Sequence, residues 1–179
     1  MYRQLLAATA FAAAITAPAL AELEPGDAAP DFTLEGFQAG EPASFHLAEA
    51  LADGPVVLFF FPAAFTSGCE AQAASFAESI ADFEALGAQV IGVTAGNTDR
   101  LAEFSTQHCA SAFPVFAVAD GMISDYEAGL LLRPGWTSRT TYVIAADQTI
   151  AMTYSEMSPY EHVDRSLAAL REMQDGDAE

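Results

Sequence analysis

An uninterrupted apolar run, Val56-Val57-Leu58-Phe59-Phe60-Phe61, stops at Pro62 and gives way to a helical pattern beginning at Ser67. A run so rich in β-branched and aromatic residues, with no polar alternation, has the pattern of a strand buried on both faces of a parallel sheet. Such a strand needs helices on each side of it, which points to an α/β fold. The segment after it agrees. Phe76, Ile80, Phe83 and Leu86 recur at helical spacing between Ser67 and Leu86, and Gly87 closes the helix. A second buried strand, Gln89 to Thr94, comes next.

The remaining pattern extends this alternation. Upstream, the turn-rich Pro25-Gly26-Asp27-Ala28-Ala29-Pro30 precedes a short strand or edge ribbon, Asp31 to Leu34. Downstream, Asn97 and Thr98 cap a helix that runs to about Cys109, with Leu101, Phe104 and His108 on one face. Val115 to Val118 reads as a third strand of the series, and a short helical piece spans Ser124 to Gly129. Arg139 to Ile144 and Ile150 to Tyr154 form a hairpin across Asp147-Gln148, and a last helix runs from about Pro159 to Met173. Together these elements predict a mixed central β-sheet with helices on both faces.

At 179 residues and 52% hydrophobic content, one domain with a full core is expected, spanning 22–173. The acidic end, 174–179, reads as a disordered tail. Residues 1–21 carry one cation at Arg3, an apolar stretch from Leu5 to Ala17, and small residues at Ala19 and Ala21. That is the pattern of a secretory signal cut after Ala21, and the apolar stretch is shorter than the ~20 residues a membrane span needs. The mature protein is therefore expected to be exported, to the periplasm in a cell with an outer membrane, without stable membrane association. Disulfides persist in that compartment. There are 25 acidic and 6 basic residues, none of them Lys, for a net charge of −19. A surface of that sign excludes nucleic acid and anionic membranes as partners.

The chemistry gathers at Pro62-Ala63-Ala64-Phe65-Thr66-Ser67-Gly68-Cys69, which joins the buried strand to a helix. Cys69 falls in the helix first turn, where free backbone N–H groups and the positive end of the dipole favour thiolate over thiol. Thiolate is the nucleophile that peroxide reduction requires. The hydroxyl of Thr66 is placed to hold a peroxide oxygen over the same pocket, and it also suits a helix cap. Pro62, with its fixed φ and missing N–H, shapes the loop and shields the sulfur from water. Arg139 leads a strand that should lie beside the first two buried strands, and its permanent charge can stabilise both the thiolate and the charge developing in the transition state.

The P-x-x-x-T-x-x-C sequence at a strand-to-helix junction, with an Arg leading a later strand, resembles the peroxiredoxin family, most closely its Q or bacterioferritin-comigratory-protein type. Gly26 to Leu34 and Arg139 to Ile144 carry further likeness, and the match covers Leu23 to Met173. The resemblance implies a thioredoxin-like fold, Cys69 as the peroxidatic cysteine, and Thr66, Pro62 and Arg139 as its pocket. It also implies hydrogen peroxide or organic hydroperoxides as substrate, a monomer, no cofactor, and a cycle of sulfenic acid, disulfide and reduction by a thioredoxin-like or other dithiol.

Cys109 is the second of two cysteines and the candidate resolving thiol. Q-type members place that cysteine either five residues after the first, which is Ala74 here, or in the helix after the second strand, where Cys109 lies near the end rather than the start. An outside thiol is the alternative. A disulfide needs Cα atoms within about 7 Å, so a cysteine in a helix first turn would need local unwinding to reach it. Trp136 reads equally as a pocket wall or a packing aromatic. His46 and His162 have no ligand-spaced partners, so no metal is expected. The rival functions are an exported thioredoxin-like disulfide reductase or thiol carrier, and a binding module. The first lacks its C-x-x-C, since Thr66 and Gln72 occupy the flanking positions.

Overall fold

The computed structural model describes residues 22–130 and 132–177. The segment read as an export signal, 1–21, lies outside the described residues, as do 178–179. The chain opens with a hairpin, β1 (Thr33–Gln38) and β2 (Glu41–His46), and one helical turn, α1 (Leu47–Ala50). β3 (Val56–Phe60), α2 (Ser67–Glu78), α3 (Ile80–Ala85) and β4 (Gln89–Thr94) follow. A 3-10 turn, Thr98–Arg100, leads into α4 (Leu101–Gln107), β5 (Val115–Ala117) and α5 (Asp120–Asp125). A ribbon of β6 (Gly129–Leu130) and β7 (Arg133–Thr137) precedes β8 (Thr140–Ile144), β9 (Ile150–Ser155) and α6 (His162–Asp177).

Seven strands make one mixed sheet in the order β2-β1-β5-β4-β3-β8-β9. β3 is parallel to β4, β4 is parallel to β5, and β8 is antiparallel to both β3 and β9. The side chains of β3 divide by parity, because successive residues of a strand point to opposite faces. Val57 and Phe59 join Phe76, Phe83, Phe104, Leu167 and Leu170, which brings α2, α3, α4 and α6 onto one face. Val56, Leu58 and Phe60 join Leu47, Ile123, Tyr126 and Tyr142, which brings α1 and α5 onto the other. The unbroken apolar run is thus a strand with two cores, and the fold is the expected thioredoxin-like α/β arrangement. Phe59 and Phe76 stack with ring centroids 4.3 Å apart, which seats α2 directly over β3.

Local departures from the sequence reading have physical causes. β1 continues to Gln38 and turns into an unexpected β2 through Ala39 (φ 52°) and Gly40 (φ 82°). Two consecutive left-handed residues are the geometry of a tight hairpin, but an alanine in the first of them carries no turn signal. The helix expected over Ser67 to Leu86 breaks at Ser79, where φ is −100° and ψ 5°. The short helix expected at Ser124 to Gly129 lies earlier, at Asp120–Asp125, because Gly129 and Leu130 pair with β7 instead. The last helix starts at His162 and continues to Asp177, so residues 174–177 are helical rather than a disordered tail. Leu167 and Leu170 bury its inner face, and Gln174 Nε2 donates to the Leu86 carbonyl at 3.2 Å, which fastens the last turns.

Candidate active site

The loop from Phe61 to Thr66 is pinned from two sides. The Phe61 N–H donates to the Val93 carbonyl at 3.0 Å and the Phe61 carbonyl accepts the Thr137 hydroxyl at 2.6 Å. Further along, the Ala64 N–H donates to the Gly96 carbonyl at 3.1 Å and the Ala64 carbonyl accepts Asn97 Nδ2 at 2.9 Å. Gly96 is a glycine because of this approach: a Cβ there would stand 2.4 Å from the Pro62 carbonyl oxygen and 2.6 Å from Ala63 Cβ. Pro62 itself is buried between these contacts.

Phe65 then takes φ 57°, a left-handed conformation that costs a bulky residue about 1–3 kcal/mol. Its ring is held in compensation. The Arg100 guanidinium lies 4.2 Å from the ring centroid, and the rings of Phe104 and His108 meet it edge-on at 5.4 and 5.5 Å. Thr66 resumes an extended conformation and becomes the N-cap of α2. It caps with its carbonyl, which accepts the N–H groups of Cys69 and Glu70 at 2.9 Å each, and not with its side chain. The Thr66 hydroxyl donates to the Ala63 carbonyl at 2.9 Å, which leaves its own lone pairs to accept a hydrogen bond from a bound molecule.

Cys69 therefore lies in the first turn of α2 and is 1% exposed. Its own N–H is engaged by Thr66, so the helix acts on the sulfur through the dipole of its remaining first-turn groups. The counter-charge comes from Arg139, in the joint between β7 and β8. Arg139 is 4% exposed, and each nitrogen of its guanidinium is engaged: Nη2 meets Cys69 Sγ at 3.5 Å, Nη1 donates to Gln72 Oε1 at 2.5 Å and to the Gly68 carbonyl at 3.2 Å, and Nε donates to the Met157 carbonyl at 2.9 Å. Gly68 makes room for it, since a Cβ there would come within 3.0 Å of Nη2.

Thr66 and Cys69 thus lie together at the start of α2, Arg139 reaches the Cys69 sulfur from the β7–β8 joint, and Pro62 is buried in the loop that leads from β3 into α2. Sequence reading missed Gln72 and the Met157 carbonyl. Gln72 stands one turn after Cys69 on the same helix face, a position that could have marked it. It is completely buried, and its Nε2 has no hydrogen-bond partner.

Cys109 sits just past α4, completely buried, and belongs to the same apolar cluster as Cys69. Both are free thiols. Burial pushes the Cys109 thiol well above its ordinary pKa. The chain around it is strained, with Ala110 at φ 46° and Ser111 at φ 61°. His108 faces Glu70 of α2 at 3.5 Å, so the end of α4 touches the helix that carries Cys69. Trp136 of β7 is half-buried beneath the Arg133 guanidinium at 4.4 Å. Among the described residues, no group of three His, Cys, Asp or Glu side chains could hold a metal ion.

A buried sulfur at a helix start, under a fixed guanidinium at the edge of a thioredoxin-like sheet, defines a thiol oxidoreductase. The chain belongs to the AhpC/TSA family, whose pattern residues 25–153 match. A Mycobacterium tuberculosis relative that carries a peroxiredoxin name is 34% identical over 158 residues, covering 86% of this chain and 100% of the relative. The chloroplastic peroxiredoxin Q of Arabidopsis thaliana is 30% identical over 152 residues, covering 84% of this chain and 68% of the relative. Among solved structures, peroxidoxin BcpB from Mycobacterium tuberculosis superposes with a TM-score of 0.71 at 32% identity, covering 84% and 98% of the two chains. The chain is accordingly a thiol-dependent peroxidase of the peroxiredoxin kind.

Proposed function

We propose that Cys69 is the thiol that meets the peroxide. One observation carries the assignment: the Cys69 sulfur is buried at the start of α2 with Arg139 Nη2 3.5 Å away. The thiolate attacks one oxygen of hydrogen peroxide or an organic hydroperoxide, the oxygen–oxygen bond breaks, and Cys69 becomes a sulfenic acid. The second oxygen leaves with the bonding electron pair, takes a proton and departs as water or alcohol. Arg139 neutralises the thiolate and stabilises the negative charge spread over sulfur and oxygens. The Thr66 oxygen accepts the O–H of the bound peroxide, and Pro62 keeps bulk water from the sulfur.

Cys109 then attacks the sulfur of the sulfenic acid, water leaves, and a Cys69–Cys109 disulfide forms. An external dithiol restores both thiols by exchange. The shared cluster and the contact between His108 and Glu70 support this partner. Left-handed Ala110 and Ser111 store strain that unwinding at Cys109 would release. The complete burial of Cys109 favours the second route, in which an outside thiol resolves Cys69 directly. Peptide mapping without reductant, after one equivalent of peroxide, separates the two: a linked Cys69–Cys109 peptide supports the internal route, and a persistent sulfenic acid on Cys69 supports the external one.

The protein is further proposed to be exported with cleavage after Ala21 and to act as a monomer. Arg3, the Leu5–Ala17 stretch and the small residues at Ala19 and Ala21 support the first, and the Q-type resemblance supports the second. N-terminal sequencing of the mature protein should begin at Glu22. For activity, the mature protein should consume hydrogen peroxide at the expense of a dithiol, while Cys69→Ser should not. Equal consumption by both would end the assignment.

A further inference from the structure

His162 is the first residue of α6, completely buried, and used by none of the steps above. Its Nε2 lies 3.0 Å from the Glu156 carbonyl oxygen and 3.1 Å from the Ser158 carbonyl oxygen. Both partners are pure acceptors, so Nε2 carries the proton. Nδ1, 2.8 Å from Thr141 Oγ1, then accepts from that hydroxyl in the neutral ring. Burial first, and the nearby Arg139 charge after it, hold the imidazole below its ordinary pKa, in keeping with a neutral ring.

The carbonyl between the two that His162 grips is that of Met157, and it accepts Arg139 Nε at 2.9 Å. Glu156, Met157 and Ser158 are exposed and lie in an irregular stretch between β9 and α6. In such a stretch, water competes for every carbonyl and the backbone orientation is cheaply changed. The imidazole fastens the peptide groups on either side of Met157, and the Glu156 N–H donates to the Arg139 carbonyl at 3.1 Å. The guanidinium is planar. With one edge set by Met157 and the other by Gln72 and Gly68, the direction of Nη2 toward the sulfur is determined.

We propose that His162 is a positioning residue for the peroxidase reaction: by donating to the carbonyls of Glu156 and Ser158 it holds the Met157 carbonyl in place, and through that carbonyl it keeps the Arg139 guanidinium aimed at Cys69. The proposal rests on the assignment of Cys69 and Arg139 given above. It makes His162 a determinant of rate although it does not touch the reacting atoms.

The test is the second-order rate constant for oxidation of Cys69 by hydrogen peroxide, measured in single turnover on the whole mature protein. His162→Leu should lower it by about 10- to 100-fold, the scale expected when a catalytic group is displaced by about 1 Å. His162→Gln, whose amide nitrogen reaches the Nε2 position, should recover most of the loss. In an Arg139→Ala background, His162→Leu should add no further loss. Ser166→Ala removes the hydrogen bond from Ser166 to the His162 carbonyl, 2.8 Å long, and serves as the control for simple loosening of α6. It should lower the melting temperature without slowing Cys69. Should His162→Leu fail to fold, Thr141→Val asks the same question, because it frees the ring from the tautomer that protonates Nε2. A His162→Leu rate equal to wild type overturns the proposal, as does a loss that persists in full without Arg139 or that Ser166→Ala reproduces. A wild-type protein inert to peroxide would instead overturn the assignment of Cys69.

Discussion

Arg139 is fastened along both edges of its guanidinium, by Met157 on one side and by Gln72 and Gly68 on the other, and the remaining nitrogen meets the Cys69 sulfur. A lysine would keep the charge and lose the fork, since an ammonium is a point charge on a flexible stem. Arg139→Lys should therefore lower the peroxide rate constant by about 100-fold, the scale of one lost donor at a site of developing charge. A rate constant within twofold of wild type in stopped-flow assays would show that charge alone suffices. Of the residues legible in advance, Pro62, Thr66 and Cys69 share eight consecutive positions whose local geometry follows from chain connectivity, while Arg139, seventy residues on, was legible only as the cation leading a later strand. Gln72 and His162 were not legible as site residues, because their roles arise from contacts with Arg139 and with the Glu156–Ser158 stretch that only tertiary packing creates.

Among the elements, the buried strands and the helices they demand were readable because unbroken apolar runs and helical spacing are strong local signals. The hairpin of β8 and β9, expected across Asp147-Gln148, was readable too, whereas those of β1 with β2 and of β6 with β7 were not. β1 and β2 join through Ala39 and Gly40, where the first left-handed position holds an alanine instead of a turn residue, and β6 is only two residues long. The first hairpin also explains His46, for which sequence spacing offered no partner. Pairing β1 with β2 brings His46 Nε2 to 3.0 Å from Asp31, to which the Ala48 N–H also donates at 3.1 Å, and Glu49, one turn further on, lies 3.4 Å from Nδ1. The hydrogen bond to Asp31 raises His46 above its ordinary 6.5, so its contribution is full below 6.5 and fades as pH rises through the raised value. The same bond lowers Asp31 below 3.8, so that contribution is full above 3.8 and fades as pH falls through the lowered value. The pair is thus fully formed between 3.8 and 6.5. In NMR titration the His46 ring should show a midpoint above 6.5 that drops on Asp31→Asn; an unmoved midpoint would contradict the pairing.

At the scale of the whole molecule, one sheet separates two apolar cores, and Cys69 is buried within one of them. The surface carries a net charge of −19, with no Lys to offset the carboxylates. Self-repulsion of that size favours separate molecules and weakens the compact state at low salt. The melting temperature should therefore rise when salt is increased from about 10 mM to about 150 mM, as the screening length falls from ~30 Å to ~8 Å. A flat or falling melting temperature would mean that the charge is locally compensated. Everything else in the molecule, from the pinned loop to the positioned guanidinium, has its consequence at one sulfur. The most direct measurement is to treat the Cys109→Ser protein with one equivalent of hydrogen peroxide in the presence of dimedone and map the label by mass spectrometry. The account predicts rapid, near-stoichiometric labelling of Cys69; peroxide consumed with Cys69 unlabelled and unoxidised would contradict it.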